Sequence, residues 1–203
     1  MKTPLRHSGN PERIGKRRMV AGLSCAAAIG VIAFLYGATV EAVELAVFAC
    51  VLIQGSLVDL ESRTIPDSYL AIAAIARLAY LLFAWHGGMA DAADIGFYAM
   101  SALAVGVVLV LVVMAADSLF GNESMGGGDV KLYRVAAWYF GWEKALVVIL
   151  LSCVFGVVSA ALSGRGPNDG EDGAGFMKRT LPFGPAIVVA CLIVMVAGGM
   201  PSF

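Results

Sequence analysis

The chain has 203 residues, of which 60% are hydrophobic and 14% are charged. Soluble domains hold roughly 45–50% apolar and about 25% charged residues, so an ordinary soluble domain and a disordered chain are both excluded. The formal net charge is −1, so no overall basic field points to nucleic acid as a partner. The composition favours a polytopic membrane protein.

Six of the fourteen Lys and Arg residues fall in a basic N-terminal segment, residues 1–18, which also holds the acid Glu12. The apolar stretch that follows is longer than the ~7–15-residue core of a secretory signal, so we expect a retained first helix. Further apolar stretches recur along residues 19–203, which we expect to form one membrane-embedded domain. The stretches cover residues 19–37, 42–60, 68–85, 95–116, 130–142, 145–163 and 182–199.

The type of element follows from the solvent, because only helices and closed barrels satisfy their backbone groups in lipid. A barrel would show alternating segments of ~10 residues, and this sequence has none. The sequence therefore predicts an all-α polytopic transmembrane helical bundle. It has six or seven spans, depending on whether the short stretch 130–142 crosses fully.

The distribution of Lys and Arg predicts the orientation, because cytoplasmic loops carry an excess of these residues. With the basic N-terminus in the cytoplasm, alternation of the spans places three connectors on the cytoplasmic side: 59–67, 117–129 and 164–180. The opposite side receives 38–41, 86–94 and 142–144, where Lys144 is the only basic residue.

Two aspartates, Asp59 and Asp129, are predicted at the same membrane face. Asp129 follows three consecutive glycines, which allow close backbone approach, so an extended substrate has room beside it. A helix N-cap explains Asp129 equally well on pattern alone. Two carboxylates that meet in a poorly solvated site share a proton, and such a pair can activate water and polarise a peptide carbonyl. The topology places the two at one depth without showing that they meet.

Three segments carry a resemblance to a known family. Residues 59–67 have the pattern D-x-x-x-x-x-I-P-D, residues 126–132 read GGGDVKL, and residues 182–185 read PFGP. In this order, and in a polytopic chain, they resemble the type IV prepilin peptidases, whose GxGD signature belongs to membrane aspartic proteases. The resemblance covers about residues 45–200.

The resemblance implies a membrane-embedded aspartic endopeptidase of the inner (cytoplasmic) membrane. Such enzymes remove the short basic leader from type IV prepilin-like precursors at the cytoplasmic face. The catalytic pair of the family falls on Asp59 and Asp129. Positions that bind substrate or support the site fall on Gly126, Gly128, Lys131, Arg63, Pro66, Pro182, Gly184 and Pro185.

The chain also departs from the larger bacterial members, which carry a cytoplasmic domain with two C-x-x-C pairs and an N-methyltransferase activity. None of the four cysteines here forms such a pair, so we expect peptidase activity only. Two histidines are too few for a His-based metal site, and we expect neither metal nor cofactor. The expected partners are a prepilin-like precursor and membrane lipid, not nucleic acid.

Two other classes of protein use the same carboxylates differently. A proton-coupled transporter or channel would relay protons through them, and a non-catalytic assembly factor would use them as helix caps. A protease that cuts within a transmembrane helix is a closer variant of the leading hypothesis.

Two further features concern the bundle itself. Arg77 lies in the middle of a span, so we expect it to face the interior or to pair with Glu41, Glu44 or Asp94. An aromatic belt at the membrane interface is predicted from Trp138, Tyr139 and Trp142.

Overall fold

The computed structural model describes residues 11–62, 66–121, 125–162 and 184–198, and every regular element in these ranges is an α-helix. The prediction of an all-α fold is therefore confirmed. The helices in the described ranges are α1 Pro11–Tyr36, α2 Val40–Ser62, α3 Asp67–His86, α4 Ala92–Phe120, α5 Gly127–Leu162 and α6 Gly184–Gly198.

Five of these helices are long and apolar enough to cross a membrane, and α6 is a shorter apolar helix. Their apolar side chains stay exposed on the outside of the bundle, most clearly on α4, where Leu111, Val112 and Met114 are all more than half exposed. A surface this apolar is stable only against lipid. The chain is therefore a multi-pass membrane protein.

Helix α5 reverses direction at Gly141, which has the non-helical angles φ 78° and ψ 169°. The hydroxyls of Tyr133 and Ser152 lie 2.5 Å apart, whereas a straight helix would separate these residues by about 28 Å along its axis. The chain thus folds back into two antiparallel segments, residues 127–140 and 142–162. These correspond to the separate stretches predicted at 130–142 and 145–163.

The reversal explains how the helix ends are distributed. Lys131, near the start of α5, pairs with Asp67 at the start of α3, so these two helix starts lie at one end of the bundle. At the other end, the α3–α4 turn and the bend at Gly141 together line a cleft of about 570 Å³. We call the first of these the aspartate end, because α2 also reaches it at Asp59. Of the three connectors predicted on one side, 59–67 and 117–129 reach the aspartate end in their described parts, and 164–180 lies outside the described residues.

The core is centred on α2, which packs against α1, α3 and α6, while α5 packs against α3, α4 and α6. Phe48 of α2 stacks on Tyr139 of α5 with ring centroids 3.7 Å apart. Tyr139 is fully buried and donates a hydrogen bond to the backbone carbonyl of Ala73 at 2.8 Å.

The predicted aromatic belt is accordingly wrong for one of its three members, Tyr139. Tyr139 is a core residue, and Trp138 is half-buried with its indole N–H donating to the carbonyl of Ala74 at 3.2 Å. Both use a second lone pair of an α3 carbonyl, so their polar atoms are satisfied without reaching the interface. Trp142 remains exposed, as a belt residue would be.

Arg77 belongs to the buried stripe of α3 and is 1% exposed. Its Nη1 donates to both carboxylate oxygens of Glu44 on α2, at 3.2 and 3.3 Å. Its guanidinium also lies over the ring of Tyr98, with Cζ 4.5 Å from the centroid. Of the three partners that the sequence left open, the structure selects Glu44.

Candidate active site

Asp59 lies in the last turns of α2 and is 7% exposed. Its Oδ2 accepts a hydrogen bond from the backbone N–H of Gly184, the first residue of α6, at 3.2 Å. A hydrogen bond and the positive end of a helix both stabilise a carboxylate that is mostly withdrawn from water. Gly184 of the late PFGP segment therefore contacts the first aspartate, although 125 positions separate the two in the chain.

Asp129 is the third residue of α5 and is half-buried. Its own backbone N–H donates to the carbonyl of Gly126 at 3.0 Å, which starts the helix. Because the helix already begins at Gly127, Asp129 lies within the first turn, and its interpretation as an N-cap is wrong. Its Oδ2 lies near Gly126, 3.6 Å from the position that a Cβ on this glycine would occupy.

The carboxylates of Asp59 and Asp129 lie close enough to interact electrostatically. They come from α2 and α5, 70 positions apart, and both lie at the aspartate end. Neither forms an ion pair with a cation of the described residues. Two neighbouring carboxylates that are partly withdrawn from water do not both ionise easily, so such a pair can provide one acid and one base.

The glycines before Asp129 leave its approach open. Gly126 and Gly127 are exposed, and Gly128 is half-buried. A side chain added at Gly127 would meet nothing within 4 Å. An extended peptide therefore has room to lie along this segment and reach the carboxylate.

Lys131 does not contact either aspartate of the pair. Its Nζ donates instead to Oδ1 of Asp67 at 2.6 Å. The sequence analysis missed Asp67 as a partner, because only the packing of α3 against α5 brings residues 64 positions apart together. Asp67 is the aspartate of the Ile-Pro-Asp pattern, and that pattern was the one feature of the sequence that singled it out.

The remaining predicted positions are partly described. Pro66 is the N-cap residue of α3, with extended angles of φ −62° and ψ 131°. Pro185 follows Gly184 in the first turn of α6, where the missing N–H of proline is tolerated. Arg63 and Pro182 lie outside the described residues.

A narrow apolar crevice adjoins the site. It runs between α2, α3, α5 and α6, and Gly184 both lines it and holds Asp59. The rest of its wall is formed by Phe48, Val51, Leu52, Gly55, Ser56, Tyr69, Leu70, Ala73, Leu132, Val135 and Val188. The candidate pair thus lies where a polar helix end meets an apolar interior.

The fold and site define a helical membrane protein with two interacting carboxylates at one end of its bundle. The type IV leader peptidase family matches residues 46–161, which is more than half of the chain. The chain belongs to this family, as the resemblance of its three segments predicted.

Several curated relatives are named prepilin leader peptidase/N-methyltransferase. The relative from Pseudomonas putida is 29% identical over 197 residues, which cover 95% of this chain and 63% of the relative. The Pseudomonas aeruginosa relative is 29% identical, over 91% of this chain and 60% of its own length. The Bacillus subtilis relative is 28% identical, over 80% and 59% respectively. The chain thus spans about three fifths of these relatives, and no solved structure matches it.

Proposed function

We propose that this protein is a membrane-embedded aspartic endopeptidase that removes the leader from type IV prepilin-like precursors. The observation that supports the proposal is that Asp59 and Asp129 lie at one end of the bundle, close enough to interact electrostatically. The names of the relatives supply the class of substrate, since each is called a prepilin leader peptidase.

Hydrolysis by such a pair needs neither a metal nor a nucleophilic side chain. The ionised carboxylate takes a proton from water while the water oxygen attacks the peptide carbonyl carbon. The protonated carboxyl donates to the carbonyl oxygen, which becomes a hydroxyl of the tetrahedral intermediate. When the C–N bond breaks, the carboxyl that took the proton from water gives it to the leaving amine, and the other carboxylate takes a proton from a hydroxyl of the intermediate, which leaves the new carboxyl terminus and restores the pair.

The surroundings support a peptide substrate more than an ion or a proton relay. An extended chain fits beside the open segment at Gly126 and Gly127, next to Asp129. The apolar part of a precursor would lie in the surrounding lipid, beside the apolar outer face of the bundle. We propose that six further residues shape or support the substrate-binding surface beside Asp129: Lys131, Arg63, Pro66, Gly128, Pro182 and Pro185.

We further propose that the aspartate end faces the cytoplasm, in the inner (cytoplasmic) membrane. The basic segment 1–18 would stay in the cytoplasm, and residues 19–203 would form the membrane-embedded peptidase domain. The excess of Lys and Arg at the N-terminus supports this orientation.

The test is cleavage of a precursor by the full chain, reconstituted in lipid, with both products identified by mass. Wild type should release the leader, and Asp59→Asn and Asp129→Asn should each abolish release. Asp91→Asn is the matched control, because Asp91 is the N-cap of α4 and asparagine caps equally well. Cleavage that survives both catalytic variants would refute the aspartic mechanism. Failure of verified, folded wild type on a set of prepilin-like precursors would refute the peptidase.

A further inference from the structure

Gly184 joins α6 to the buried carboxylate of Asp59. Its N–H donates to Oδ2 at 3.2 Å, and Gly184 is itself buried. The next residue is Pro185, which has no N–H. Of the first two residues of α6, only Gly184 therefore offers a donor, and that donor is directed to Asp59.

The absence of a side chain at Gly184 is required by this contact. A Cβ added there would collide with Oδ2 of Asp59 and would lie 2.9 Å from Cγ. The added Cβ would also lie 3.1 Å from Cβ of Asp59, a tight contact that rotation of the aspartate side chain does not change, and relief of the closer contacts requires the carboxylate to move away from Gly184. Any other residue at 184 would push the aspartate away from α6.

The contact also restricts the carboxylate itself. An aspartate whose carboxylate has no hydrogen-bond partner rotates about its Cβ–Cγ bond over a broad range of angles. A hydrogen bond from a helix backbone to Oδ2 fixes that rotation, and one oxygen is then always directed away from α6. Positioning of reacting groups to within about 1 Å is worth roughly 100-fold in rate.

We propose that Gly184 is a positioning residue for Asp59. Its N–H holds Oδ2, and Oδ1 is thereby left for the attacking water and for Asp129. The inference rests on the proposed peptidase function and adds α6 to the catalytic end of the bundle. Gly184 does not touch the substrate in this role; it acts through Asp59.

The kinetic test compares Gly184→Ala with Gly96→Ala in α4, at a glycine far from the carboxylate pair whose added Cβ meets nothing within 4 Å. Gly184→Ala should lower the single-turnover cleavage rate by about 100-fold and leave the affinity for the precursor unchanged. Gly96→Ala should leave the rate unchanged. Equal rates in Gly184→Ala and wild type would overturn the proposal. A weaker affinity with an unchanged rate would overturn it as well, since it would assign Gly184 to substrate binding.

A second measurement does not depend on cleavage. The backbone amide of Gly184, observed by NMR in the full chain in detergent micelles, should shift in Asp59→Asn, because a charged acceptor is replaced by a neutral one. It should not shift in Asp91→Asn, at the opposite end of the bundle. If the chemical shift of the Gly184 amide does not change in Asp59→Asn, the positioning role is overturned even when wild type cleaves the precursor. An amide that responds while no precursor is cleaved leaves the contact established and refutes the peptidase.

Discussion

Lys131 donates a hydrogen bond to Asp67 at 2.6 Å, although Asp129 lies only two residues before it in the same helix. Side chains two positions apart on a helix point in different directions, so the first turn of α5 turns its cation to α3 and its carboxylate to Asp59. Asp129 and Lys131 of the GGGDVKL segment therefore have different partners. The ion pair joins two helix starts, and the carboxylate of Asp129 is left near Asp59, where the proposed peptidase would use it.

The Asp67–Lys131 pair is predicted to contribute little to stability. The side chains are 76% and 53% exposed, and exposed ion pairs contribute about 0.2–1 kcal/mol. Asp67→Asn should therefore lower the free energy of unfolding by no more than about 1 kcal/mol, and high salt should reduce the difference further. Chemical unfolding in detergent at low and high salt measures both effects. A larger, salt-independent loss would mean that Asp67 has a second partner in the folded state.

The buried Arg77–Glu44 pair should behave in the opposite way. Arg77→Met leaves Glu44 buried without its cation, and breaking such a pair costs about 3–5 kcal/mol. The double variant Arg77→Met, Glu44→Leu should recover most of that loss, because no uncompensated charge remains. Unfolding followed by tryptophan fluorescence compares the variants. If the double variant is as unstable as Arg77→Met, packing around the guanidinium, and not its charge, holds these helices together.

Gly141 should tolerate no side chain. Its φ of 78° is strained for any L residue by about 1–2 kcal/mol, and an added Cβ would lie 2.9 Å from Cε1 of Phe97. Gly141→Ala is thus expected to destabilise by more than 1 kcal/mol. The matched control is Gly96→Ala in α4, where an added Cβ has open space and alanine is the better helix former by about 1 kcal/mol. The midpoint temperature of thermal unfolding should fall for Gly141→Ala and rise for Gly96→Ala. An unchanged midpoint for Gly141→Ala would show that the bend relaxes to accommodate the side chain.

Sequence patterns predicted those features of the fold that depend on one segment of the chain alone. Long apolar runs gave the helices, and the interruption near residue 142 gave the two segments that the structure joins at Gly141. The spacing of Asp59 and Asp129 relative to their spans placed both at one end. Periodicity does not fix how one helix is shifted or rotated against another. The partners of Lys131 and Arg77 and the burial of Tyr139 depend on that packing, so they emerged only from the structure.

The orientation of the bundle gives the last prediction. Asp67 and Glu143 are both exposed and lie at opposite ends, so they are matched sites for single cysteines in a chain whose four natural cysteines are replaced. With the basic N-terminus in the cytoplasm, Glu143→Cys should react in intact cells with a maleimide that cannot cross the membrane. Asp67→Cys should react only after the membrane is opened. The reverse pattern would place the carboxylate pair on the outer side, where it could not meet a leader held in the cytoplasm. Labelling at both sites in intact cells would mean a mixed topology, and the cytoplasmic assignment of the aspartate end would fail with it.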